Sequence, residues 1–171
     1  NAAQAPESSV MVGDRYYDLV PIIFTGIRFH SISDISLEKS EFSAEFDLWF
    51  RSSVAIAPGD IVFPTERGEV EGKVIDSLDD SKGFYRRIRY RGKFSFNSKP
   101  GDLLLERLEL PLTWHHRTLD SANLRFVVDS ASFNSSAVNS SIHEQVMRES
   151  VLAPDLGYVA AGSIFAVENK P

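Results

Sequence analysis

The clearest pattern in the chain is the alternation of residues 41–51, EFSAEFDLWFR. Phe42, Ala44, Phe46, Leu48 and Phe50 fall on one face; Ser43, Glu45, Asp47, Trp49 and Arg51 fall on the other. Period-2 spacing of this length predicts a half-buried strand, with one face in a core and one toward water. Upstream, residues 15–35 read as extended. Ile27 and Phe29 share a face there, and the phase then shifts at Ile32 and Ile35, which predicts a bulge or turn near residues 31–34. Residues 84–96 alternate again, with Phe84, Ile88, Tyr90, Phe94 and Phe96 opposed to Tyr85, Arg87, Arg89, Arg91 and Lys93.

Turn chemistry divides the remainder. Ala57-Pro58-Gly59-Asp60 reads as a turn, because proline presets one dihedral angle and glycine permits the next. Short strands are predicted over residues 61–64, 69–75, 103–112, 119–129 and 158–167, with a polar loop over 79–83 and a serine- and asparagine-rich loop over 132–141. Ser141 and Glu144 have the spacing of a capping box and predict a helix over residues 142–152, stopped by Pro154. Many short strands separated by turn signals predict an all-β fold, an antiparallel β-sandwich of immunoglobulin-like or jelly-roll type with one short helix. Residues 1–15 read as a flexible lead-in or an expression scar, and residues 16–171 as a single β-sandwich domain.

Charge and composition narrow the function. The net charge of -6 argues against a general nucleic-acid binder, which needs basic surface to displace counterions. With no cysteine, disulfides, thiolate metal sites and a cysteine nucleophile are excluded. No apolar run approaches the roughly 18–20 residues of a membrane span. The expectation is a domain of a longer protein, joined to the membrane only through that parent.

Candidate chemistry is sparse. Arg87, Arg89, Arg91 and Lys93 form a basic stripe that either meets an anionic ligand or partner, or is answered by carboxylates on neighbouring strands such as Glu45, Asp47, Glu69 and Glu71. Trp49 lies on the face expected to be solvated, where it either lines a pocket or interface or packs under a loop. Trp114-His115-His116 invites a metal reading, but adjacent histidines on extended chain point oppositely, and a capped loop is expected with no metal. Asp79 and Asp80 read as a solvated loop. The triplets at Asn134 and Asn139 have glycan-acceptor spacing, which chance readily supplies in such a loop. There is no Gly-x-Ser-x-Gly elbow and no phosphate loop, so neither an enzyme nor a bound cofactor is expected.

The order of motifs adds a family. FTGIRFHSISDIS followed by FSAEFDLWFR resembles the first strands of the extracellular domain of pentameric ligand-gated ion channels. YRRIRYRGKFSF and then LLLERLELPLTWHHRTLDSANLRFVVDS continue that order, with Leu110-Pro111-Leu112 where the family has Phe-Pro-Phe and Thr113 in place of its aspartate. The resemblance covers residues 21–130 and implies a bacterial periplasmic or extracellular relative: a ligand-sensing or regulatory module of a larger membrane-linked receptor, channel or transporter, and a possible homo-oligomer. It implies a small-molecule site between subunits, with Asp47, Trp49 and Arg51 on one side and Asp129, Ser130 and Phe133 on the other. The alternative is a structural interaction module without a small ligand, docking on a neighbouring domain through Arg87, Arg89, Arg91 and Lys93.

Overall fold

The computed structural model describes residues 9–81, 83–97, 108–120, 123–133 and 137–168. The chain is mostly β, and the strands are β1 (Ser9–Val12), β2 (Arg15–Asp18), β3 (Ile22–Ser36), β4 (Glu41–Ser52), β5 (Ile61–Val62), β6 (Glu71–Asp80), β7 (Gly83–Ser95), β8 (His115–His116) and β9 (Arg125–Val128). One α-helix among the described residues, α1 (Val138–Arg148), follows them. Five strands make one sheet in the order β6-β7-β4-β3-β9. Its pairs are antiparallel except β9, which joins β3 in parallel; the all-antiparallel expectation is corrected there. β5 and β8 form a separate small ladder.

The alternation of β4 sets the core. Phe46 pairs in register with Phe29 and Tyr90, Leu48 with Ile27 and Ile88, and Phe42 with Phe94. Cross-strand neighbours share a face, so these side chains form one continuous apolar surface, and all but Phe29 are buried. Phe63, just past β5, lies edge-on to Phe46 at 5.7 Å, Tyr90 at 4.9 Å and Phe94 at 5.6 Å and closes that surface from above. Each buried ring contributes on the order of 1.5–3 kcal/mol. The predicted irregularity in β3 is present: its register with β4 shifts between Phe29 and Ser31 and again between Ser33 and Ser36.

β9 flanks β3 only along Ile22–Thr25. Beyond that, α1 and the segment after it take over the edge. The Gln145 side-chain amide donates to the Phe29 carbonyl (2.8 Å) and accepts from its N–H (3.3 Å), imitating a strand. The Ile32 N–H donates to the Val151 carbonyl (2.8 Å), and the Ala153 N–H to the Ile32 carbonyl (3.2 Å). An open strand edge is thereby covered.

Several expectations are corrected. Ser9–Val12, in the expected lead-in, is a strand and pairs as a hairpin with Arg15–Asp18 beyond it. α1 begins at Val138 after Ala137, not at a Ser141 capping box; the Ser141 hydroxyl instead donates back to the Ala137 carbonyl (3.3 Å). Residues 158–167 form no strand, and among the described residues of 119–129 only Arg125–Val128 do. Of the strand expected over 103–112, residues 103–107 lie outside the described residues, and 108–112 join no ladder. Asp79 and Asp80 end β6 rather than forming a loop, and Asp79 is ion-paired with Arg86. Asn134 lies outside the described residues; Asn139 is in α1, where its side chain accepts from the Phe165 N–H (2.8 Å).

Two substitutions separate core from edge. Phe46→Ala should cost about 3–5 kcal/mol by cavity formation. Gln145→Ala should cost about 1–3 kcal/mol, with hydrogen exchange at the Phe29 amide rising more than at Leu48. Urea unfolding and amide exchange read both; an unchanged Phe29 amide would contradict the edge contact.

Candidate functional site

The second face of the sheet carries the polar half of the β4 alternation, and it is not simply solvated. Asp47, expected toward water, has 0 % exposure. Arg89 stands opposite it in register, and Arg87 is one same-face step along β7. Arg87 donates from Nε (2.9 Å) and Nη2 (2.6 Å) to Oδ2 of Asp47. Arg89 donates from Nε to Oδ1 (2.8 Å) and from Nη2 to Oδ2 (3.3 Å). His30 Nε2, from β3, is 2.9 Å from the same Oδ2 and 3.0 Å from Arg89 Nη2. It donates to Asp47 only while that nitrogen carries a proton. Burial opposes ionisation of Asp47, but the bonds from Arg89, His30 and Arg87 outweigh it and hold the pKa down at about 2.

A second buried carboxylate lies near the far end of β4. Asp129 follows β9 and is only 1 % exposed. Its N–H donates to the Thr25 carbonyl (2.8 Å), which fixes its position at the end of the parallel ladder. Its carboxylate accepts from Trp49 Nε1 (3.1 Å), the Arg51 guanidinium and the Ser132 hydroxyl. Burial again opposes the charge, and the bonds from Ser132, Arg51 and Trp49 depress the pKa despite it. The indole lies across Gly26, its register partner, where a Cβ would come within 2.0 Å of the ring. Only glycine leaves that room. The Phe133 ring packs 5.3 Å from Trp49. Trp49 is therefore half-buried and held on three sides, not standing free in water.

Between this face and α1 runs a groove of about 510 Å³, walled by Trp49, Arg87, Phe133, Gln145, Arg148 and Glu149, among others. Glu149 is engaged by Arg28 (2.9 Å), by Gln145 Nε2 (2.7 Å) and by Arg148 (3.3 Å), and its pKa is lowered, with the Gln145 bond as the leading cause.

The structure brings together Trp49, Arg51, Asp129 and Phe133 of the expected ligand set. Asp47 belongs instead to the arginine–histidine cluster, and Ser130 is exposed in the turn after Asp129. The basic stripe divides. Arg87 and Arg89 turn to Asp47, with Glu45 at 3.8 Å from Arg89; Lys93 is 4.0 Å from Glu41, and Arg91 is exposed between Glu45 and Glu71 in register. Carboxylate pairing accounts for most of the stripe. His30, Ser132 and the α1 side chains were not singled out from sequence. His30 shows no periodic signal of its own, and the docking of α1 is a long-range event. His115 and His116 form β8, and His116 Nδ1 accepts from the Thr118 (3.2 Å) and Leu119 (3.1 Å) amides, as a capped loop should. Among the described residues no three His, Cys, Asp or Glu side chains converge as metal ligands, and no helix is long and apolar enough to cross a membrane. No protein-family model matches the chain, and no curated protein matches it significantly.

Asp47→Asn would leave two guanidinium groups facing a neutral amide. The loss should lie toward the lower end of ~3–5 kcal/mol, because both arginines keep partial access to water. A folded pKa below the unfolded one stabilises fully above the unfolded value and is lost as pH falls through the folded value. The Asp47 contribution should therefore vanish between about pH 4 and about pH 2. Denaturation curves for wild type and Asp47→Asn should converge across that window, and a gap independent of pH would contradict the assignment.

Proposed function

We propose that this chain is an extracytoplasmic ligand-sensing module of a larger bacterial membrane-linked receptor, channel or transporter, and that its ligand enters the groove between α1 and the sheet. The observation that carries this reading is the clamped aromatic wall. A buried carboxylate, Asp129, holds Trp49 against Phe133 at the groove, so the recognition surface is set before a ligand arrives. Concave sites lined by aromatic rings with a few placed polar groups are the usual form of small-molecule pockets. Trp49 and Phe133 would take the apolar body of a ligand, and Arg148 and Glu144 its polar or charged ends. The resemblance of residues 21–130 to channel extracellular domains supports the class. This site lies within one chain, whereas the resemblance implies one between subunits. In fold terms we read the large sheet and the β5–β8 layer over its core face as the two layers of a sandwich.

The alternative, an interaction module docking through the basic strand, retains Arg91 and Lys93, which stay exposed. Such docking should weaken as ionic strength rises, whereas an aromatic groove should respond little.

A fragment screen by NMR tests the proposal. Ligands should cluster at Trp49, Phe133 and the inner face of α1. In a Trp114→Phe background, fluorescence of Trp49 should titrate with the best of them. Phe133→Ala and Arg148→Ala should each weaken binding by about tenfold or more, which corresponds to about 1.4 kcal/mol. Hits scattered away from this groove, or none within it, would remove the reading.

A further inference from the structure

The groove between α1 and the sheet offers a ligand more donors than acceptors. Glu149 is saturated: Oε1 accepts from Arg28 (2.9 Å) and Arg148 (3.3 Å), and Oε2 from Arg28 (3.1 Å) and Gln145 (2.7 Å). A carboxylate oxygen has two lone-pair sites, so none is left over. The other acid of the wall, Glu144, is exposed on α1, where water screens it.

Arg87 is the opposite case. Its side-on edge, Nε and Nη2, closes on Oδ2 of Asp47, and Nη1 has no partner among the described residues. Glu45 approaches Arg89 (3.8 Å), not Arg87, and Asp76, in register with Arg87 on β6, is not ion-paired with it. The side chain keeps 31 % exposure and lines the groove. Its position is thus fixed by a buried acid, while the end-on edge, Nη1 and Nη2, can still take a planar anion in two parallel bonds. An anchored guanidinium loses little freedom when it binds. Arg148, at 76 % exposure with one 3.3 Å contact to its chain neighbour, has no such anchor.

A second donor stands beside Arg87. Tyr85 lies two residues before it on β7, so the two side chains share a face, and both line the groove. The Tyr85 hydroxyl has no hydrogen-bond partner among the described residues. Burial pushes its pKa up, although Arg87 pulls the other way, so it keeps its proton and donates. Two unmatched donors, one of them cationic, suit the two oxygens of a carboxylate. Trp49 is the register partner of Arg87 on β4. A ring resting on Trp49 therefore lies about one strand spacing, ~4.8 Å, from the guanidinium, within reach of an acid on a short spacer.

Given a ligand in this groove, as proposed above, we infer that it is a small aryl carboxylate. Its ring lies on Trp49 and Phe133, and its carboxylate is held by the free edge of Arg87 and the Tyr85 hydroxyl. Arg148, at the mouth, is left for any further polar group. A cationic amine is disfavoured, because Glu149 has no free lone pair to receive it.

Three probes with one ring system test this on the intact chain: naphthylacetate, naphthylacetamide and naphthylethylamine. NMR shifts of the Trp49 indole and the Phe133 amide report binding. The acid should bind about tenfold or more tighter than the amide, the gain expected of hydrogen bonds to a charged group, and the amine should bind weakest. Arg87→Lys keeps the charge but loses the planar edge, and should cut the acid-to-amide ratio to a few-fold; Tyr85→Phe should lower it in part. Arg89 and His30 stay on Asp47 in both variants. A merely loosened groove would weaken acid and amide alike and leave the ratio unchanged. Equal binding of acid and amide in the groove, or a ratio that survives both substitutions, would overturn the carboxylate assignment and leave the sensing role standing. No shift at Trp49 or Phe133 with any probe would overturn both.

Discussion

Asp47 takes a negative charge out of water in the middle of the sheet, and much of the second face follows from the need to answer it. Removing a carboxylate from water costs several kcal/mol even after the protein relaxes. Three cationic or polar groups converge on it from the two neighbouring strands: Arg87 and Arg89 from β7, His30 from β3. These bonds reinforce a register that the apolar face already requires, since a one-residue slip of β7 would move both guanidinium groups to the core side. They also explain why four cations can share one strand face. The stripe is mainly the counter-charge of a buried acid: Arg87 and Arg89 turn to it while keeping partial access to water, and the far end, Arg91 and Lys93, is exposed.

Asp129 repeats the device with a different purpose. Its partners, Trp49, Arg51 and Ser132, come from β4 and the turn after β9, so the bonds tie the parallel edge strand to the central strand over the top of β3. The indole cannot rotate away without leaving a buried carboxylate one donor short, and Gly26 beneath it removes the clash that would force it outward. Arg87 belongs to both arrangements: it is anchored to Asp47 and forms part of the groove wall. Two interior charges thus hold an aromatic and a basic side chain at fixed positions on a surface that period-2 patterning alone would leave to water.

That last point marks where sequence reading stops. The strands β3, β4 and β7, their facing side chains and the bulges in β3 were legible, because each follows from local alternation. The burial of Asp47 was not. Alternation says which residues share a face but not how their side chains fold over it, and here the Arg87, Arg89 and His30 side chains converge on Asp47 from the two neighbouring strands. Residues 158–167 have the composition of a strand yet join no ladder, and the stretch of β3 edge past Thr25 is already occupied by Gln145, Val151 and Ala153. The hairpin at Ser9–Asp18 carried a readable turn in Gly13-Asp14 that the polar opening residues obscured. For the site, motif order put Asp47, Trp49 and Arg51 on one side of a pocket between subunits and Asp129, Ser130 and Phe133 on the other, whereas Trp49, Arg51, Asp129 and Phe133 meet within one chain. Nothing in any single residue predicted that Asp129 would be the acid that holds the tryptophan.

The helix makes the groove and the sheet edge a single mechanical unit. Gln145 completes the Phe29 backbone pair with one amide and, with the same nitrogen, reaches Glu149, which in turn engages Arg28 on β3 and Arg148 at the groove. A molecule that displaced α1 outward would have to break the imitation strand contact at Phe29 before it gained any contact of its own. At about 1–3 kcal/mol for an orphaned buried backbone group, that cost is small beside the burial energy of an aromatic-sized ligand but large enough to favour occupants that fit the existing gap. If the groove takes a ligand as proposed, the clamped tryptophan on one wall and the edge-bonded helix on the other would favour one that enters a preformed space and leaves both anchors intact.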